Sequence, residues 1–257
     1  MNDAISNAPG RIFVGCAGWS LGRERAAAFP GDGTHLQRYA RQFNTAEINS
    51  SFYRPHRPQT YARWADSVPA DFRFSVKIPK LISHEQQLQG SGHALDEFLG
   101  QCSELGERLG CLLLQLPPSL GFEPSVAEAF FIQLRERFDG HVVIEPRHES
   151  WVRAQPMLVH YCVAQATVDP SRLSNDRQPA GWPGLGYWRL HGAPRIYYSA
   201  YDEDFLMRLA VELKAKALSG APMWCIFDNT ASGAATGNAL RLIEILAQPP
   251  SAREQQG

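Results

Sequence analysis

The sequence lacks several features that would restrict its function at once. Its five cysteines, at positions 16, 102, 111, 162 and 225, form no CxxC pair. No HxH or HExxH spacing occurs, and there is no phosphate-binding P-loop. These absences argue against zinc or iron–sulfur sites built on paired ligands and against P-loop chemistry. The scattered cysteines are expected to be buried, reduced thiols.

Net charge is also nearly absent. The formal net charge is −1 and the sequence pI is about 6.7, so no global basic field indicates nucleic acid, although a local basic patch stays open. No stretch approaches the roughly 18 apolar residues that a membrane span needs. Residues 1–10 are polar and lack a signal-peptide pattern. We therefore expect a cytoplasmic protein with no membrane partner.

What the chain does contain is a regular alternation of short apolar strands and amphipathic helices. Strands are expected at residues 12–16, 45–49, 72–78, 111–116, 142–145, 166–168, 187–191 and 223–227. Helices are expected at residues 36–43, 59–67, 94–109, 125–138, 151–165, 203–218 and 234–246, and the polar stretch 170–183 gives no clear helix.

Eight such alternations predict a single α/β domain, a parallel eight-stranded (β/α)8 TIM-like barrel. The length of 257 residues suits this fold, which typically needs roughly 250. An open, doubly wound sheet is the alternative, but no GxGxxG pattern follows the first strand. The barrel domain should span residues 11–247, between disordered tails at residues 1–10 and 248–257.

Polar residues gather where the expected strands end, which is the end of a barrel that carries active sites. Alternate residues of a strand face opposite sides, so polar residues two apart share a face. We expect three such sets to point into the barrel mouth: Arg73, Ser75 and Lys77; Thr167 and Asp169; Arg189 and His191. For any single residue, a structural ion pair inside the barrel is the alternative interpretation.

The fifth strand shows the pattern most clearly. It runs through two valines and an isoleucine to Glu145, and Pro146 should end it because proline cannot donate to a strand ladder. Ser150 is expected to cap a helix that begins at Trp151. Glu145 is our preferred acid or base, with Lys77 and Arg147 as its electrostatic partners and with Arg189 and Arg195 as substrate clamps. Contacts of Glu145 with Lys77 and Arg189 are expected.

Seven motifs of this chain resemble those of the YecE-like family, known as domain of unknown function 72. They are Gly15-Cys16-Ala17-Gly18-Trp19-Ser20, Ala46-Glu47-Ile48-Asn49-Ser50-Ser51-Phe52-Tyr53, Phe74-Ser75-Val76-Lys77-Ile78-Pro79, Leu114-Gln115-Leu116-Pro117-Pro118-Ser119, Glu145-Pro146-Arg147-His148-Glu149-Ser150-Trp151, Tyr187-Trp188-Arg189-Leu190-His191-Gly192 and Phe227-Asp228-Asn229-Thr230. The resemblance implies a TIM-like barrel and no particular activity. Two positions depart from it: Leu21 replaces an aromatic residue, and Asp228 replaces the first of two asparagines.

The candidate site residues follow from these tips. The candidate catalytic residues are Glu145, Lys77, Arg147, Glu47, Asp169 and Asp228. The candidate substrate-binding residues are Arg189, His191, Arg195, Tyr198, Asn49, Gln115, Asn229, Trp19 and Tyr53. Residues 229–234 form a small-residue loop before a helix, which suits an anion, although small residues also permit a tight turn.

Three functions stay open at this point. The first is an enzyme, such as a hydrolase, lyase or isomerase, that acts on a small anionic or phosphorylated substrate by acid–base chemistry. The second is a nucleic-acid-binding protein or metal-dependent phosphodiesterase, and the third is a non-catalytic scaffold. No cofactor is expected. A divalent metal near His84, His148 and His191 is not favoured, because the neighbouring cations would oppose its charge.

Overall fold

The computed structural model describes residues 8–22 and 27–249, which contain ten strands and seven α-helices. The strands are β1 (Ile12–Ala17), β2 (Thr45–Ile48), β3 (Arg73–Lys77), β4 (Leu109–Gln115), β5 (His141–Glu145), β6 (Val163–Gln165), β7 (Thr167–Asp169), β8 (Ala180–Gly181), β9 (Gly186–Leu190) and β10 (Met223–Phe227). The helices are α1 (His35–Tyr39), α2 (Pro58–Asp66), α3 (Gly92–Cys102), α4 (Pro124–Arg135), α5 (Gln155–His160), α6 (Glu203–Ala217) and α7 (Ala234–Ala247).

All ten strands belong to one sheet, in the order β7-β9-β10-β1-β2-β3-β4-β5-β6-β8. Every pairing is parallel except that of β6 with the short β8. β6 pairs with β5, and β7 pairs with β9. Only Ala166 separates β6 from β7, so the two ends of the sheet meet and form a nearly closed barrel. The predicted α/β alternation is confirmed, but the sheet has ten strands of mixed direction.

The largest local difference from the sequence prediction lies between residues 149 and 169. A helix was expected at residues 151–165. Instead, a 3-10 helix (Glu149–Ala154) leads into α5, and β6 follows after Cys162, which has a φ of 53°. Ser150 does not cap a helix through its side chain, because its Oγ accepts a hydrogen bond from Phe122 N at 2.7 Å. His148 Nδ1 accepts the capping bond from Ser150 N instead.

The core has two layers, as a barrel wrapped by helices requires. The larger layer packs the outward faces of the strands against the helices, and the smaller one fills the inside of the barrel. Inside, Trp224 stacks on Phe13 with ring centroids 4.6 Å apart and lies 6.2 Å from the ring of Tyr187. A Cβ on Gly110 would lie 2.3 Å from Trp224 Cη2, so the indole needs a glycine there. Aromatic packing thus fills the interior away from the C-terminal mouth.

A second close approach joins β1, α1 and β2. Tyr39 Oη accepts a hydrogen bond from Cys16 N at 2.7 Å and donates one to Thr45 O at 3.0 Å. Gly15 lies directly beneath this junction, where a Cβ would sit 2.0 Å from Thr45 O and 2.8 Å from Tyr39 Oη. The backbone of β1 can reach β2 at this spacing only because position 15 has no side chain.

The segment before β1 contacts the C-terminal end of α6. Gly10 N donates to Ala217 O at 2.7 Å, so the segment before β1 rests on the end of α6. α7 ends at Ala247. The expected tails at residues 1–10 and 248–257 lie outside the described residues, except for residues 8–10 and 248–249. Within the described ranges, no helix has both the length and the apolar character to cross a bilayer.

Candidate functional site

Arg189 is the centre of a buried charge network at the C-terminal end of the barrel. It lies on β9, is 1% exposed, and faces three carboxylates. Its Nε and Nη2 donate to the two oxygens of Glu47 at 2.9 and 2.8 Å. Its Nη1 donates to Glu145 Oε2 at 3.1 Å, and its Nη2 lies 3.0 Å from Asp228 Oδ2. A planar guanidinium suits this role because its donors are fixed in direction.

Glu145 is equally enclosed, at the end of β5. Its Oε1 accepts from Gln115 Nε2 at 2.8 Å and from Arg147 Nη2 at 3.0 Å, and His191 Nε2 lies 3.3 Å away. Its Oε2 accepts from Arg189. The carboxylate is 0% exposed and both of its oxygens are occupied. This arrangement orients its neighbours and leaves no free oxygen for an incoming molecule.

Three further contacts complete the network. Below Arg189 on the same face of β9, Tyr187 Oη donates to Glu47 Oε2 at 3.2 Å and lies 2.9 Å from Ser75 Oγ. Above it, His191 Nδ1 lies 2.9 Å from Asp228 Oδ2. No described residue donates a hydrogen bond to Asp228 Oδ1. Asp228 is therefore the acidic member of the network that keeps one oxygen available.

The charges shift one another's protonation in opposite directions. Burial alone would raise the pKa of Glu145, but Arg189, His191 and Arg147 hold it well below its ordinary value. The pKa of Asp228 is likewise lowered, because Arg189 and His191 outweigh the effect of burial. Burial lowers the pKa of His191, yet Glu145 and Asp228 produce a net rise. Both carboxylates therefore stay ionised at neutral pH.

A cavity of about 500 Å³ opens above this network at the mouth of the barrel. Among the described residues, four cationic side chains line it, namely Lys77, Lys80, Arg147 and Arg189, whereas Asp228 is the one carboxylate in its lining. The remaining lining residues are Asn49, Phe52, Tyr53, His84, Gln115, Tyr197, Tyr198, Thr230 and Ala231. Glu47 and Glu145 lie beneath the floor. The wall that a ligand would meet therefore carries excess positive charge.

Lys77 differs from the two arginines of the network. Its Nζ lies 4.0 Å from the centroid of the Phe52 ring, a cation–π contact. Its ammonium group forms no ion pair or hydrogen bond with another described residue, although pairing with a carboxylate was expected. Burial, with help from Arg189, lowers the pKa of Lys77 to about 8, against the opposing pull of Glu47, Glu145 and Asp228.

The rim of the cavity is formed by the loop after β9 and held by Asn238 of α7. Asn238 Oδ1 accepts from Tyr201 N and from Asn229 Nδ2, both at 3.0 Å, and its Nδ2 donates to Tyr201 O at 2.9 Å. This loop carries Tyr197 and Tyr198, which are 40% and 44% exposed. One buried amide therefore fixes the position of the rim.

Replacing Asn238 with alanine is expected to lower the free energy of unfolding by about 1–3 kcal/mol, because buried partners lose their hydrogen bonds. Urea unfolding of the variant measures this cost. Asn175→Ala is the control, since Asn175 is half-buried and accepts one bond from Gln165. Equal stability of the Asn238 variant and wild type would contradict the bracing role.

Comparison with known proteins supplies the family. The model of the family described as "Protein of unknown function DUF72" matches residues 13–256, which is nearly the whole chain. The chain belongs to this family. The UPF0759 protein YecE of Escherichia coli K12 is 36% identical over 110 residues, which are 43% of this chain and 39% of that protein, and its counterpart in strain O157:H7 gives the same values. The match thus spans well under half of each relative's length.

Solved structures of the family share the fold. A DUF72 protein from Enterococcus faecalis V583 superposes with a TM-score of 0.77 and 23% identity, over 93% of this chain and 97% of its own. Another from Thermotoga maritima MSB8 gives 0.76 and 23%, over 93% of this chain and 100% of its own. At this identity the likeness concerns the fold alone. The resemblance to the YecE-like family is confirmed.

The structure brings most of the predicted site residues together. Those in the network or the cavity wall are Glu47, Asn49, Tyr53, Lys77, Gln115, Glu145, Arg147, Arg189, His191, Tyr198 and Asp228. Asn229 lies behind the rim, where it donates to Ser199 O and Asn238. Arg195 lies outside the cavity wall, with its guanidinium 3.9 Å from the centroid of the Tyr198 ring.

Two predicted placements are wrong. Thr167 and Asp169 face outward, because β7 aligns them with Trp188 and Leu190 of the outer core, while Val168 aligns with Arg189 and points inward. Trp19 does not line the mouth either. It packs edge-to-face on Trp64 and Phe74, with centroids 5.1 and 6.0 Å away. Aromatic packing against the helix layer explains its position.

Some cavity residues escaped the sequence prediction. Lys80 lines the wall three residues after Lys77, and Tyr187 belongs to the network two residues before Arg189. The spacing of two could have identified Tyr187, since it shares a strand face with Arg189. Nothing in the sequence separates Lys80 from an ordinary surface lysine.

Residues 18–22, Gly-Trp-Ser-Leu-Gly, match the GxSxG pattern, although the sequence was expected to contain none. They do not form the nucleophile elbow of hydrolases, in which a helix follows the serine directly, because residues 19–22 are not helical and the first α-helix of the described residues begins at His35. Ser20 hydrogen-bonds no described histidine.

Across residues 8–22 and 27–249, no cluster of three or more His, Cys, Asp or Glu side chains is arranged to hold a metal ion. His84 Nδ1 lies 2.9 Å from Ser83 Oγ, and its ring packs edge-to-face on Phe52. Burial, Lys77 and Arg147 lower the pKa of His84, which keeps the imidazole neutral beside the cations.

Proposed function

We propose that this protein is an enzyme that binds a small anionic or phosphorylated substrate in the mouth of the barrel and acts on it by acid–base chemistry. The observation that carries the proposal is the charge of the cavity wall, with four cations against one carboxylate. A cavity with this lining attracts anions and concentrates them. Its volume of about 500 Å³ suits a small metabolite.

The described geometry supports different roles for the charged residues, which we propose as follows. Lys77, Lys80 and Arg147 are the proposed anion contacts, because all three line the cavity. Lys77 has no ion pair with a described residue, Lys80 pairs with the exposed Glu85 at 3.0 Å, and Arg147 pairs with Glu145 at 3.0 Å. Asp228 is the proposed general base, because it is ionised, lines the cavity and keeps Oδ1 available. Glu47 and Glu145 are proposed as positioning residues, since Arg189 and its neighbours occupy their oxygens.

An unpartnered acceptor supports a substrate that also donates hydrogen bonds. Asn49 lines the cavity, and its buried Oδ1 has no hydrogen-bond partner among the described residues. A buried acceptor without a donor costs about 1–3 kcal/mol. A substrate hydroxyl would remove that cost. A phosphorylated hydroxy compound therefore fits the polarity of the wall better than inorganic phosphate alone.

The test is thermal unfolding in the presence of inorganic phosphate and of phosphorylated sugars. At a concentration about a hundred times the dissociation constant, a ligand should stabilise the fold by about 2.7 kcal/mol. For a chain of this size that corresponds to a rise in Tm of roughly 5–10 °C. The rise should largely disappear in Lys77→Met and Lys80→Met.

Lys216→Met on α6 is the matched control, because Lys216 lies on the surface, away from the mouth. It should respond to phosphate as the wild type does. No rise with any of these anions, or an unchanged rise in both mouth variants, would sink the proposal. Turnover of a bound compound should then fall in Asp228→Asn more than binding does.

A second candidate function is nucleic-acid binding with phosphodiester chemistry. Its support is the ring of exposed tyrosines at the rim, with Tyr53 67% exposed beside Tyr197 and Tyr198. Aromatic rings next to cations can stack on bases while the cations hold phosphates. Salt-dependent retention of single-stranded DNA, lost in Tyr53→Ala, would favour this function over a metabolite enzyme.

We also propose that the fold is an eight-stranded TIM-like barrel and that the protein is cytoplasmic. We take β6 and β7 as halves of one strand and β8 as an addition, which gives the eight parallel strands of a TIM barrel. The five cysteines are free, and all except Cys162 are buried. Free thiols are typical of reducing compartments, which supports a cytoplasmic location.

A further inference from the structure

We infer that Lys77 is a nucleophile that forms an imine with an anionic carbonyl compound held in the mouth of the barrel. This inference rests on the proposed function and names the substrate class of the same site. Lys77 lies at the mouth of the barrel. Lys77 is the last residue of β3, it is 4% exposed, and its side chain lines the cavity. An amine at this place can contact a ligand bound between the surrounding cations.

Lys77 takes no part in neutralising the buried carboxylates. Its neighbours Arg147 and Arg189 supply the donors that neutralise the carboxylates. Glu145 accepts from four side chains, and Glu47 accepts from Arg189 through both oxygens. Lys77 has no ion-pair partner among the described residues, so the network is complete without it. A structural ion pair does not explain a lysine buried here.

The surroundings of Lys77 favour the neutral, nucleophilic form of its amine. An ammonium group is not a nucleophile, so a lysine must lose a proton before it can attack a carbonyl carbon. Lys77 is kept poorly solvated by burial over the Phe52 ring, and Arg189 repels its charge. These effects lower its pKa to about 8. A useful fraction of the amine is therefore neutral at physiological pH.

The reaction balances with groups already in the site. The lone pair of neutral Nζ attacks the carbonyl carbon, a C–N bond forms, and the electrons of the C=O π bond move to the oxygen. One nitrogen proton is transferred to that oxygen and gives a carbinolamine. Loss of the hydroxyl group with the second nitrogen proton, as water, leaves the imine. Asp228 Oδ1 can accept and return the proton that moves.

The surrounding cations define the carbonyl compound. Lys80 and Arg147 line the same wall as Lys77, so the reacting molecule should carry a carboxylate or phosphate close to its carbonyl group. Pyruvate represents the first arrangement and dihydroxyacetone phosphate the second. Acetone has the carbonyl without the charge. The three probes therefore separate simple amine reactivity from a site built for an anion.

The experiment is reductive trapping of the full-length protein with sodium cyanoborohydride and each probe, followed by intact mass and peptide mapping. The chain has only four lysines, Lys77, Lys80, Lys214 and Lys216, so the site is read directly. We expect one adduct at Lys77 with a mass equal to that of the acid form of the probe less one oxygen. At pH 7 it should form at least about tenfold faster than adducts at Lys214 or Lys216.

Two comparisons make the outcome decisive. Lys77→Arg keeps the positive charge but has no nucleophilic amine, so it should lose the adduct, whereas Lys216→Met should form the adduct as the wild type does and keep the stabilisation by phosphate. Acetone should label Lys77 far more slowly than either anionic probe. If neither anionic probe labels Lys77 while phosphate still stabilises the protein, the imine is excluded and the proposed function stands. If phosphate stabilisation is absent as well, both proposals fail.

Discussion

Replacing Arg189 with methionine is expected to lower the free energy of unfolding by about 3–5 kcal/mol, the usual cost of leaving buried charges without their partner. Arg189 contacts Glu47, Glu145 and Asp228, which are at most 5% exposed. Methionine fills most of the same volume but offers no donor. Urea unfolding at pH 7, with circular dichroism as the readout, measures the difference.

The pH dependence identifies the cause of that loss. In the wild type the pKa values of Glu145 and Asp228 are held below their ordinary values, which the unfolded chain has. The stability from these groups is therefore complete above the ordinary carboxyl pKa and is lost as the pH falls through the folded-state values. Without Arg189 both pKa values rise, so acid neutralises the carboxylates more readily in the variant. The stability gap between the two proteins should narrow from pH 7 to pH 5.

Arg241→Met provides the matched control. Arg241 also bridges two acids, with Glu203 and Glu244 as partners, but all three side chains are exposed. Solvent-exposed ion pairs contribute roughly 0–1 kcal/mol. The explanation by burial would be wrong if the two variants lost equal free energy of unfolding. It would also be wrong if the difference in stability between the wild type and Arg189→Met were the same at pH 5 and pH 7.

Gly15→Ala is expected to cost about 3 kcal/mol or more, although it adds one methyl group. The new Cβ would lie 2.0 Å from Thr45 O. This oxygen belongs to the backbone of β2, so it cannot rotate away as the end of a side chain could. β1 and β2 would have to separate, which would also break the bonds that Tyr39 makes to Cys16 and Thr45. The midpoint of thermal unfolding and the yield of folded protein report the effect.

Gly100→Ala tests the same substitution where there is room. Gly100 is exposed on α3, and a Cβ there would meet nothing within 4 Å. Alanine favours a helix interior over glycine by about 0.5–1 kcal/mol, so this variant should be more stable than the wild type. Opposite signs at the two positions are expected. A loss at Gly100, or no loss at Gly15, would contradict the steric explanation.

The sequence predicts the fold well because strand and helix periods differ and the chain alternates them regularly. β10 spans the expected residues, and the strand at Glu145 ends before Pro146 as proline requires. The prediction was wrong at Val163–Gln165, because these three residues could equally extend the preceding helix. Only their pairing with β5 makes them a strand, and that pairing is a long-range contact.

The site was predicted in part for a related reason. Polarity at a strand end indicates the mouth only if the polar face is the inner one, which holds for Lys77 and Arg189. On β7 the inner face carries Val168, since Arg189 and Tyr187 already occupy the adjacent interior. Asp169 therefore faces outward. No sequence pattern reveals how much space a neighbouring strand has taken.

Glu145 illustrates a second limit of sequence patterns. Its position at a strand end predicts a place in the network, and its contact with Arg189 is present. The expected contact between Glu145 and Lys77 is absent, because four other side chains occupy the oxygens of Glu145. The number of donors around one oxygen pair depends on the packing of three separate segments, which are β4, the loop after β5, and β9 with the residue that follows it.

The break between β6 and β7 gives the barrel a seam. Each central strand has a hydrogen-bonded neighbour on both sides along its length, whereas β7 pairs on one side with β9 and β6 has the two residues of β8 on its second side. Segments with fewer backbone bonds open at lower free energy. We therefore expect amide hydrogen exchange at residues 163–169 to be faster than in the central strands. Opening there would reach the charge network first, because the flanking strands β5 and β9 carry Glu145 and Arg189.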